Sequence, residues 1–171
     1  MVKNSLKEVL PMGLTVELAY DCQDEIRSLF QEYTEMLVRE SPSVADYLNL
    51  QHYDAEFYDL ESKYGLPDGR VYLARVDGAA AGCAALRKLD DTRCELKRMY
   101  VRPQYRGQKI SGVLLDRLLA DAWEIGYQKM LLDTLPFLTQ AIGIYRRRGF
   151  QDIPCYNDSP LPETIYMELE L

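Results

Sequence analysis

The chain has few of the residues that most often bind metals or form nucleophile–base pairs. Its 171 residues include a single histidine, His52, and four scattered cysteines, Cys22, Cys83, Cys94 and Cys155. No pair of these has the spacing of zinc ligands, so neither a metal site nor a Cys–His nucleophile pair is expected. We interpret the cysteines as buried thiols of a protein in a reducing compartment.

Excess positive charge and long apolar runs are also missing. The net charge is −7, which argues against a general surface for nucleic acid or for an anionic membrane. No apolar run approaches the roughly 20 residues of a membrane span, and the first residues lack the apolar core of a signal peptide. We therefore expect a soluble, cytoplasmic protein with no membrane or nucleic-acid partner, either a monomer or a homodimer.

The residues that are present predict one globular domain with alternating elements. Hydrophobic residues make up 47% of the chain and charged residues 27%, which is typical of a folded protein. We expect a short tail over residues 1–13 and a single domain over residues 14–171. The patterns predict the class α/β (α+β in looser usage) with a mixed sheet.

Local patterns place the main elements. Alternation predicts a strand over residues 14–18, followed by a helix that Asp21 would cap and that the Ser41-Pro42-Ser43 break would end. Asp77-Gly78 predicts a hairpin between strands 71–76 and 79–86, and a further strand covers residues 93–101.

The second half of the chain carries the clearest helix. It spans residues 108–125, with Trp123 assigned to its apolar stripe and Asp121 to its solvent face, and Gly126 ends it. A short buried strand over residues 130–133 and a helix over residues 139–148, stopped by Gly149, complete the pattern before a last strand or two.

The most informative segment is the basic turn between the strand 93–101 and the long helix. Arg102, Arg106 and Lys109 lie there, where an apolar strand runs through a Pro/Gly turn into a helix start. Unpaired N–H groups and the positive end of the helix dipole make such a start a phosphate site. A nucleotide P-loop is excluded, because that pattern needs Gly-Lys followed at once by Ser or Thr.

The strand that leads into this turn has a broken alternation at Lys97-Arg98. A β-bulge there would splay the strand from its neighbour and leave backbone groups free for a linear, amide-bearing ligand. The alternative is a fully buried strand end over residues 99–101 that binds nothing.

Two motifs together resemble the GNAT superfamily of N-acetyltransferases. The first is Arg106-Gly107-Gln108-Lys109-Ile110-Ser111, with its Tyr-Arg-Gly lead-in and a preceding Val-x-Pro. The second is Ala141-Ile142-Gly143-Ile144-Tyr145 followed by Arg148-Gly149-Phe150. The resemblance implies a largely antiparallel, mixed central sheet of six to seven strands. About four helices would flank this sheet, and a central pair of strands would be splayed.

The resemblance also implies acetyl-coenzyme A as co-substrate, without a metal. The backbone of the strand end would pair with the pantetheine arm, and the N–H groups of the turn would hold the pyrophosphate. The implied cofactor-binding residues are Met99, Tyr100, Val101, Arg106, Gly107, Gln108, Lys109, Ile110, Ser111 and Gly112. The sequence departs from the family pattern because Lys109 and Ser111 occupy positions of glycines, and we interpret the cradle as altered but working.

Acyl transfer to an amine needs a base for the ammonium proton and benefits from an acid for the leaving thiolate. Glu95 is the base candidate, because it lies six residues before Val101, where histone-acetylating members of the family carry their glutamate base. The alternative is an exposed strand carboxylate paired with Lys97 or a neighbouring arginine. Tyr145 is the acid candidate by the second motif, and its alternative role is core packing beside Phe150.

The acceptor side of the site is less defined. The first two helical regions and residues 155–160 would flank it by the resemblance, and acidic residues there would suit a cationic amine. Solvated helix faces explain these acidic residues as well. The run Arg146-Arg147-Arg148 complements the dipole at a helix end, or one of its members contacts the adenosine phosphate.

The sequence leaves two functions open. The first is an enzyme that transfers an acetyl group from acetyl-CoA to a primary amine of a small molecule or peptide, by direct attack in a ternary complex. The second is a non-catalytic acyl-CoA-binding sensor or regulatory module. The altered glycine positions favour the module, whereas the presence of both Glu95 and Tyr145 favours the enzyme.

Overall fold

The computed structural model describes residues 13–50 and 59–171, which form a seven-stranded sheet with five α-helices. The strands are β1 (Leu14–Leu18), β2 (Arg70–Val76), β3 (Ala79–Lys88), β4 (Arg93–Val101), β5 (Lys129–Thr134), β6 (Gln151–Ile153) and β7 (Ile165–Glu170). The helices are α1 (Gln23–Glu40), α2 (Ser43–Leu50), α3 (Leu60–Tyr64), α4 (Ile110–Ile125) and α5 (Thr139–Arg147). A 3-10 turn, Pro103–Tyr105, connects β4 to the basic turn.

The sheet confirms the predicted architecture, including the splayed central pair. Its strand order is β1-β2-β3-β4-β5-β7-β6, and only β4 and β5 run parallel to each other. Their ladder stops at the pair Glu95 and Leu131, although both strands continue. Beyond Glu95 the edge of β4 that faces β5 has no strand partner among the described residues, which opens the middle of the sheet.

The predicted β-bulge is present on β4. Opposite β3, Cys83 pairs with Tyr100 and Ala85 pairs with Lys97, so β4 carries one extra residue in this interval. Arg98 lies within it at a φ of +57°, which few residues other than glycine adopt. The bulge thus coincides with the point where β4 separates from β5.

Helices cover both faces of the sheet. On one face α4 packs its buried residues Leu114 and Leu118 against strand residues such as Tyr72, and on the other α1 and α3 contribute Phe30 and Tyr64. Alternate residues of β2 point into the two clusters, as expected for a sheet between two helical layers.

Two expectations for α4 are wrong. Asp121 is buried and accepts a hydrogen bond from the Tyr72 hydroxyl at 2.6 Å, whereas Trp123 is 68% exposed. Helical geometry explains both results. Asp121 follows Leu114 by seven residues and shares its face, while Trp123 follows by nine and lies on the opposite side.

Other local expectations are also corrected. Cys22, rather than Asp21, is the residue before α1, and it makes no side-chain cap. Of the cysteines only Cys83 and Cys94 are buried, and Cys155 is exposed. Part of the expected second helical region, including Tyr53 and Tyr58, lies outside the described residues. Within the described ranges no helix is long and apolar enough to cross a membrane, and the cytoplasmic location stays a prediction.

Candidate active site

The basic turn and the start of α4 form an open anion-binding cradle. Lys109 precedes the helix without capping it, and the first turn contains no acidic residue. Among the described residues, the N–H groups of residues 107–112 donate no hydrogen bond, and the first donor is Val113 N–H, to the Lys109 carbonyl at 3.1 Å. Free N–H groups at the positive end of a 16-residue helix favour an anion.

A groove of about 650 Å³ runs along this cradle. The basic turn forms one wall and the first residues and inner face of α5 form the other. Arg106, Lys109 and Arg147 bring three cations to the groove, and none of its described lining residues is acidic. In a protein with a net charge of −7, this local excess of positive charge indicates an anionic ligand.

A second groove of about 570 Å³ continues from the first toward the gap in the sheet. The two grooves share Val101, Arg106 and Ile144, and the second is also lined by Met99 and Tyr100. The Val101 carbonyl belongs to the strand end whose backbone was expected to pair with pantetheine. It accepts a hydrogen bond from Arg106 Nε at 3.1 Å. Every cofactor-binding residue expected from the sequence lines one of the grooves, except Gln108.

Lys109 occupies its glycine position with a φ of +60°, at a cost that a glycine would not incur. We expect the free energy of unfolding of Lys109→Gly to be about 1 kcal/mol higher than that of Lys109→Ala. Both variants lose the charge, but only alanine retains a Cβ at the strained backbone position. Thermal and denaturant unfolding measure the difference.

The same two variants test the role of the Lys109 charge in the cradle. Both should bind coenzyme A about two- to fivefold more weakly than the original protein, since each removes one exposed cation. Equal stability of the two variants would show that the backbone at this position carries no strain.

A small cavity of about 90 Å³ lies at the gap between β4 and β5. It shares Tyr33, Met99, Leu138 and Tyr145 with the second groove, so groove and cavity meet at these side chains. Tyr33 lines the cavity, whereas Tyr64 is fully buried in the core. Ser159, in the segment expected to flank the acceptor, also lines it.

Tyr145 lies at this junction. Its ring packs against Phe150 with a centroid distance of 5.8 Å, so the packing role and the site role coexist. Burial, and then the neighbouring Tyr33 and Asp133, raise the pKa of Tyr145. The hydroxyl therefore stays protonated near neutral pH and is available as a hydrogen-bond and proton donor.

Glu95 lies in a buried ion-pair network. Its carboxylate Oε2 accepts hydrogen bonds from Arg87 Nε and Nη2, at 3.0 and 2.8 Å, and Lys97 Nζ lies 3.1 Å from Oε1. The side chain is 1% exposed and does not line the cavity. The alternative expected for Glu95 is thus right in its pairing and wrong in its exposure, because the carboxylate is buried. Arg87 stands directly opposite Glu95 in the sheet.

Lys97 connects this network to the cavity. Its Nζ also lies 3.7 Å from Asp133 Oδ1, and Asp133 Oδ2 accepts a hydrogen bond from Asn157 Nδ2 at 2.8 Å. Burial acts to lower the pKa of Lys97, but the charges of Asp133 and Glu95 raise it overall, so Lys97 remains a cation.

The cavity residues Lys97, Arg98 and Asp133 were not among the site residues expected from the sequence. The sequence indicates something unusual at Lys97-Arg98, because the pair breaks the alternation of polar and apolar residues in β4. The indication at Asp133 is weaker, since it is only a polar residue near the end of a buried strand. Only the fold shows that the three residues line one cavity.

The arginine run after the second motif divides between surface pairs and the groove. Arg146 pairs with Asp152 at 3.3 Å and Arg148 with Asp116 at 2.7 Å, whereas Arg147 lines the cradle groove. Arg147 is therefore the member placed to contact a phosphate of the ligand, and that contact stays a prediction.

Sequence comparison identifies the family of this chain. A model of the acetyltransferase (GNAT) family matches residues 24–150. The chain belongs to the GNAT family. An uncharacterized N-acetyltransferase of Schizosaccharomyces pombe is 35% identical over 150 residues, which cover 86% of this chain and 88% of that protein.

Solved structures of GNAT proteins share the fold. The PaiA N-acetyltransferase of Thermoplasma acidophilum, in complex with coenzyme A, superposes with a TM-score of 0.70 at 16% identity, over 94% of this chain and 100% of that one. A GNAT family acetyltransferase of Elizabethkingia anophelis with acetyl-CoA bound gives a TM-score of 0.59 at 20% identity, with the same coverage of each chain. Among the described residues of this GNAT protein, no cluster of His, Cys, Asp and Glu could hold a metal ion.

Proposed function

We propose that this GNAT protein transfers an acetyl group from acetyl-CoA to a primary amine of a small molecule or peptide, by direct attack in a ternary complex. The observation that carries the proposal is the continuity of the site. A cationic cradle leads through a groove to a small cavity, and Met99 and Tyr145 line both the groove and the cavity.

The donor side fits acetyl-CoA. The free N–H groups of residues 107–112 and the three groove cations suit a diphosphate, and the open edge of β4 suits an extended chain with amide groups. The bound thioester would then lie at the junction beside Tyr145, with the acceptor amine on the cavity side.

In the transfer step the amine nitrogen attacks the thioester carbonyl carbon. The new C–N bond forms and the C–S bond breaks. Starting from the ammonium form, the nitrogen loses one proton before attack and a second after it, so that one proton balances the new S–H bond and one is released to solvent. Tyr145 donates a proton to the leaving sulfur and regains one from solvent, while Glu95 is the proposed proton acceptor, reached through Lys97 or water.

Direct attack agrees with the state of the cysteines. Burial raises the pKa of Cys83 and of Cys94 to about 12, so neither supplies a thiolate near neutral pH. Neither Cys22 nor Cys155 lines the grooves or the cavity described above. A covalent acetyl-cysteine intermediate therefore has no support among these residues.

Calorimetric titration with acetyl-CoA, followed by a screen of primary amines for release of the coenzyme A thiol, tests the proposal. We expect one-to-one binding of acetyl-CoA and amine-dependent thiol release. Binding without thiol release on any amine would support a regulatory module instead, and absence of binding would refute both functions.

A further inference from the structure

The walls of the cavity that would receive the acceptor come from distant parts of the chain. Aliphatic residues of α1 and α2 line it, Leu37 and Val44 among them. The connection between β6 and β7, residues 154–164, adds Ser159 and Leu161. The volume of about 90 Å³ leaves room for several water-sized groups. The acceptor moiety that enters this cavity is therefore compact and largely apolar.

Two of the three charged residues in the lining have their main contacts outside the cavity. The Arg98 guanidinium hydrogen-bonds with the Tyr64 side chain and lies 5.4 Å from the centroid of the Phe30 ring, and neither partner lines the cavity. Lys97 Nζ lies 3.1 Å from Glu95 Oε1, and Glu95 does not line the cavity either. The third charge, a carboxylate, is the one left for a group inside the cavity.

That carboxylate belongs to Asp133, and most of its hydrogen-bonding capacity is open. Oδ2 accepts a hydrogen bond from Asn157 Nδ2 at 2.8 Å, and Oδ1 lies 3.7 Å from Lys97 Nζ. Among the described residues no further donor contacts it, although an ionised carboxylate offers about four lone-pair sites. A partly buried anion beside apolar walls favours a cationic partner, and an acceptor amine in its ammonium form supplies one.

Asp133 also lies near the junction of groove and cavity, where the thioester would be placed. Burial chiefly raises the pKa of Tyr33, to about 12, and of Tyr145, and the Asp133 charge adds to both effects. A neighbouring carboxylate opposes the ionisation of a phenol, so both tyrosines lie within reach of its charge. Since both line the groove and the cavity, an ammonium group paired with Asp133 would be held close to the acetyl donor.

Asn157 holds Asp133 from the connection between β6 and β7. Its Nδ2 donates to Asp133 Oδ2, and its Oδ1 accepts a hydrogen bond from the Ser159 N–H at 3.1 Å. Ser159 Oγ in turn lies 3.2 Å from Thr164 Oγ1, and both of these residues line the cavity. A single side-chain amide thus joins the carboxylate to the segment that forms one wall of the cavity.

We infer that Asp133 binds the ammonium group of a compact, apolar primary amine, and that Asn157 is the positioning residue that holds this carboxylate. The inference rests on the proposed acetyl transfer and names its substrate class. The apolar tail of the amine packs against the aliphatic walls, while the ammonium group pairs with Asp133 before it loses its proton for attack.

Matched pairs of acceptors test the substrate class on the full chain. Each pair consists of an apolar amine and a partner that carries an additional charge: pentylamine with 1,4-diaminobutane, and 3-methylbutylamine with L-leucine. With acetyl-CoA in excess, we expect at least one apolar amine to release thiol with a kcat/KM about tenfold or more above that of its partner. The reason is that the additional charge would have to enter an apolar cavity unpaired.

Variants of the two residues test their roles with the better of the two apolar amines. Asp133→Asn and Asn157→Ala should each raise KM for the amine about tenfold, with kcat and the dissociation constant of acetyl-CoA changed by less than about threefold. In the Asp133→Asn background, Asn157→Ala should change KM by less than about twofold, because the carboxylate that it positions is already gone. Asp158→Asn is the control, since this exposed neighbour lines neither groove nor cavity, and it should leave KM unaffected.

The outcomes separate this inference from the function on which it rests. Equal or better turnover of the charged partners, or turnover of other amines but of neither apolar one, would overturn the substrate class. An unchanged KM in Asp133→Asn would remove Asp133 as the ammonium contact, and an equal effect of Asn157→Ala in both backgrounds would show that Asn157 only shapes the connection. Acetyl-CoA binding without thiol release on any amine would instead overturn the acetyl transfer itself.

Discussion

Replacing Tyr145 by phenylalanine is expected to lower kcat about a hundredfold, the smaller end of the range for loss of a general acid. The variant retains the ring that packs against Phe150 and loses only the hydroxyl at the junction of groove and cavity. Because the pKa of Tyr145 is raised by burial, the hydroxyl is a proton donor over the whole neutral range. Its loss should therefore lower the rate without shifting the pH profile there.

The coenzyme should still bind to this variant with a dissociation constant within about twofold of the original, since its proposed phosphate contacts lie in the cradle and not at Tyr145. Steady-state kinetics and calorimetry measure the two effects separately. Tyr127→Phe is the matched control, because it also removes a tyrosine hydroxyl that donates a hydrogen bond, here to the Asp68 carbonyl at 2.8 Å. Tyr127 lines neither of the two grooves. An unchanged kcat in Tyr145→Phe would leave Tyr145 as a packing residue.

The parts of this site that the sequence predicts are those made by neighbouring residues. The cradle consists of one strand end, one turn and one helix start that follow each other along the chain. The positions of Arg106, Gly107 and Lys109 relative to one another can therefore be predicted from their spacing in the sequence. The bulge at Lys97-Arg98 can be predicted for the same reason, because it breaks the alternation of polar and apolar residues within one strand.

The cavity could not be predicted in this way, because its residues come from distant parts of the chain. Tyr33 on α1, Lys97 on β4 and Asp133 on β5 meet only after the sheet has assembled and its central pair has parted. The burial of Glu95 likewise depends on the register that sets Arg87 opposite it. Asp121 differs, because its burial follows from helical spacing alone. It lies seven residues after Leu114 and therefore on the same, buried face of α4.

Replacing Glu95 by glutamine is expected to lower the free energy of unfolding by about 3 kcal/mol, because it leaves Arg87 without its buried counter-charge and leaves Lys97 with Asp133 alone. Denaturant unfolding measures the loss. Asp152→Asn breaks the exposed pair with Arg146 and should cost about 0.5 kcal/mol or less. Adding Arg87→Gln to Glu95→Gln should recover part of the stability, since the double variant removes the guanidinium that Glu95→Gln leaves unpaired.

The same variant tests the proposed base, provided that kinetics are measured where the protein is still folded. If Glu95 accepts the ammonium proton, kcat/KM of Glu95→Gln should fall and its pH profile should be shifted or flattened relative to that of the original protein. If Glu95 only holds Lys97 in place, the rate should fall while the shape of the profile survives. Asp133, the carboxylate among the described cavity residues, is then the next residue to test, and Asp133→Asn should change the profile that Glu95→Gln left intact.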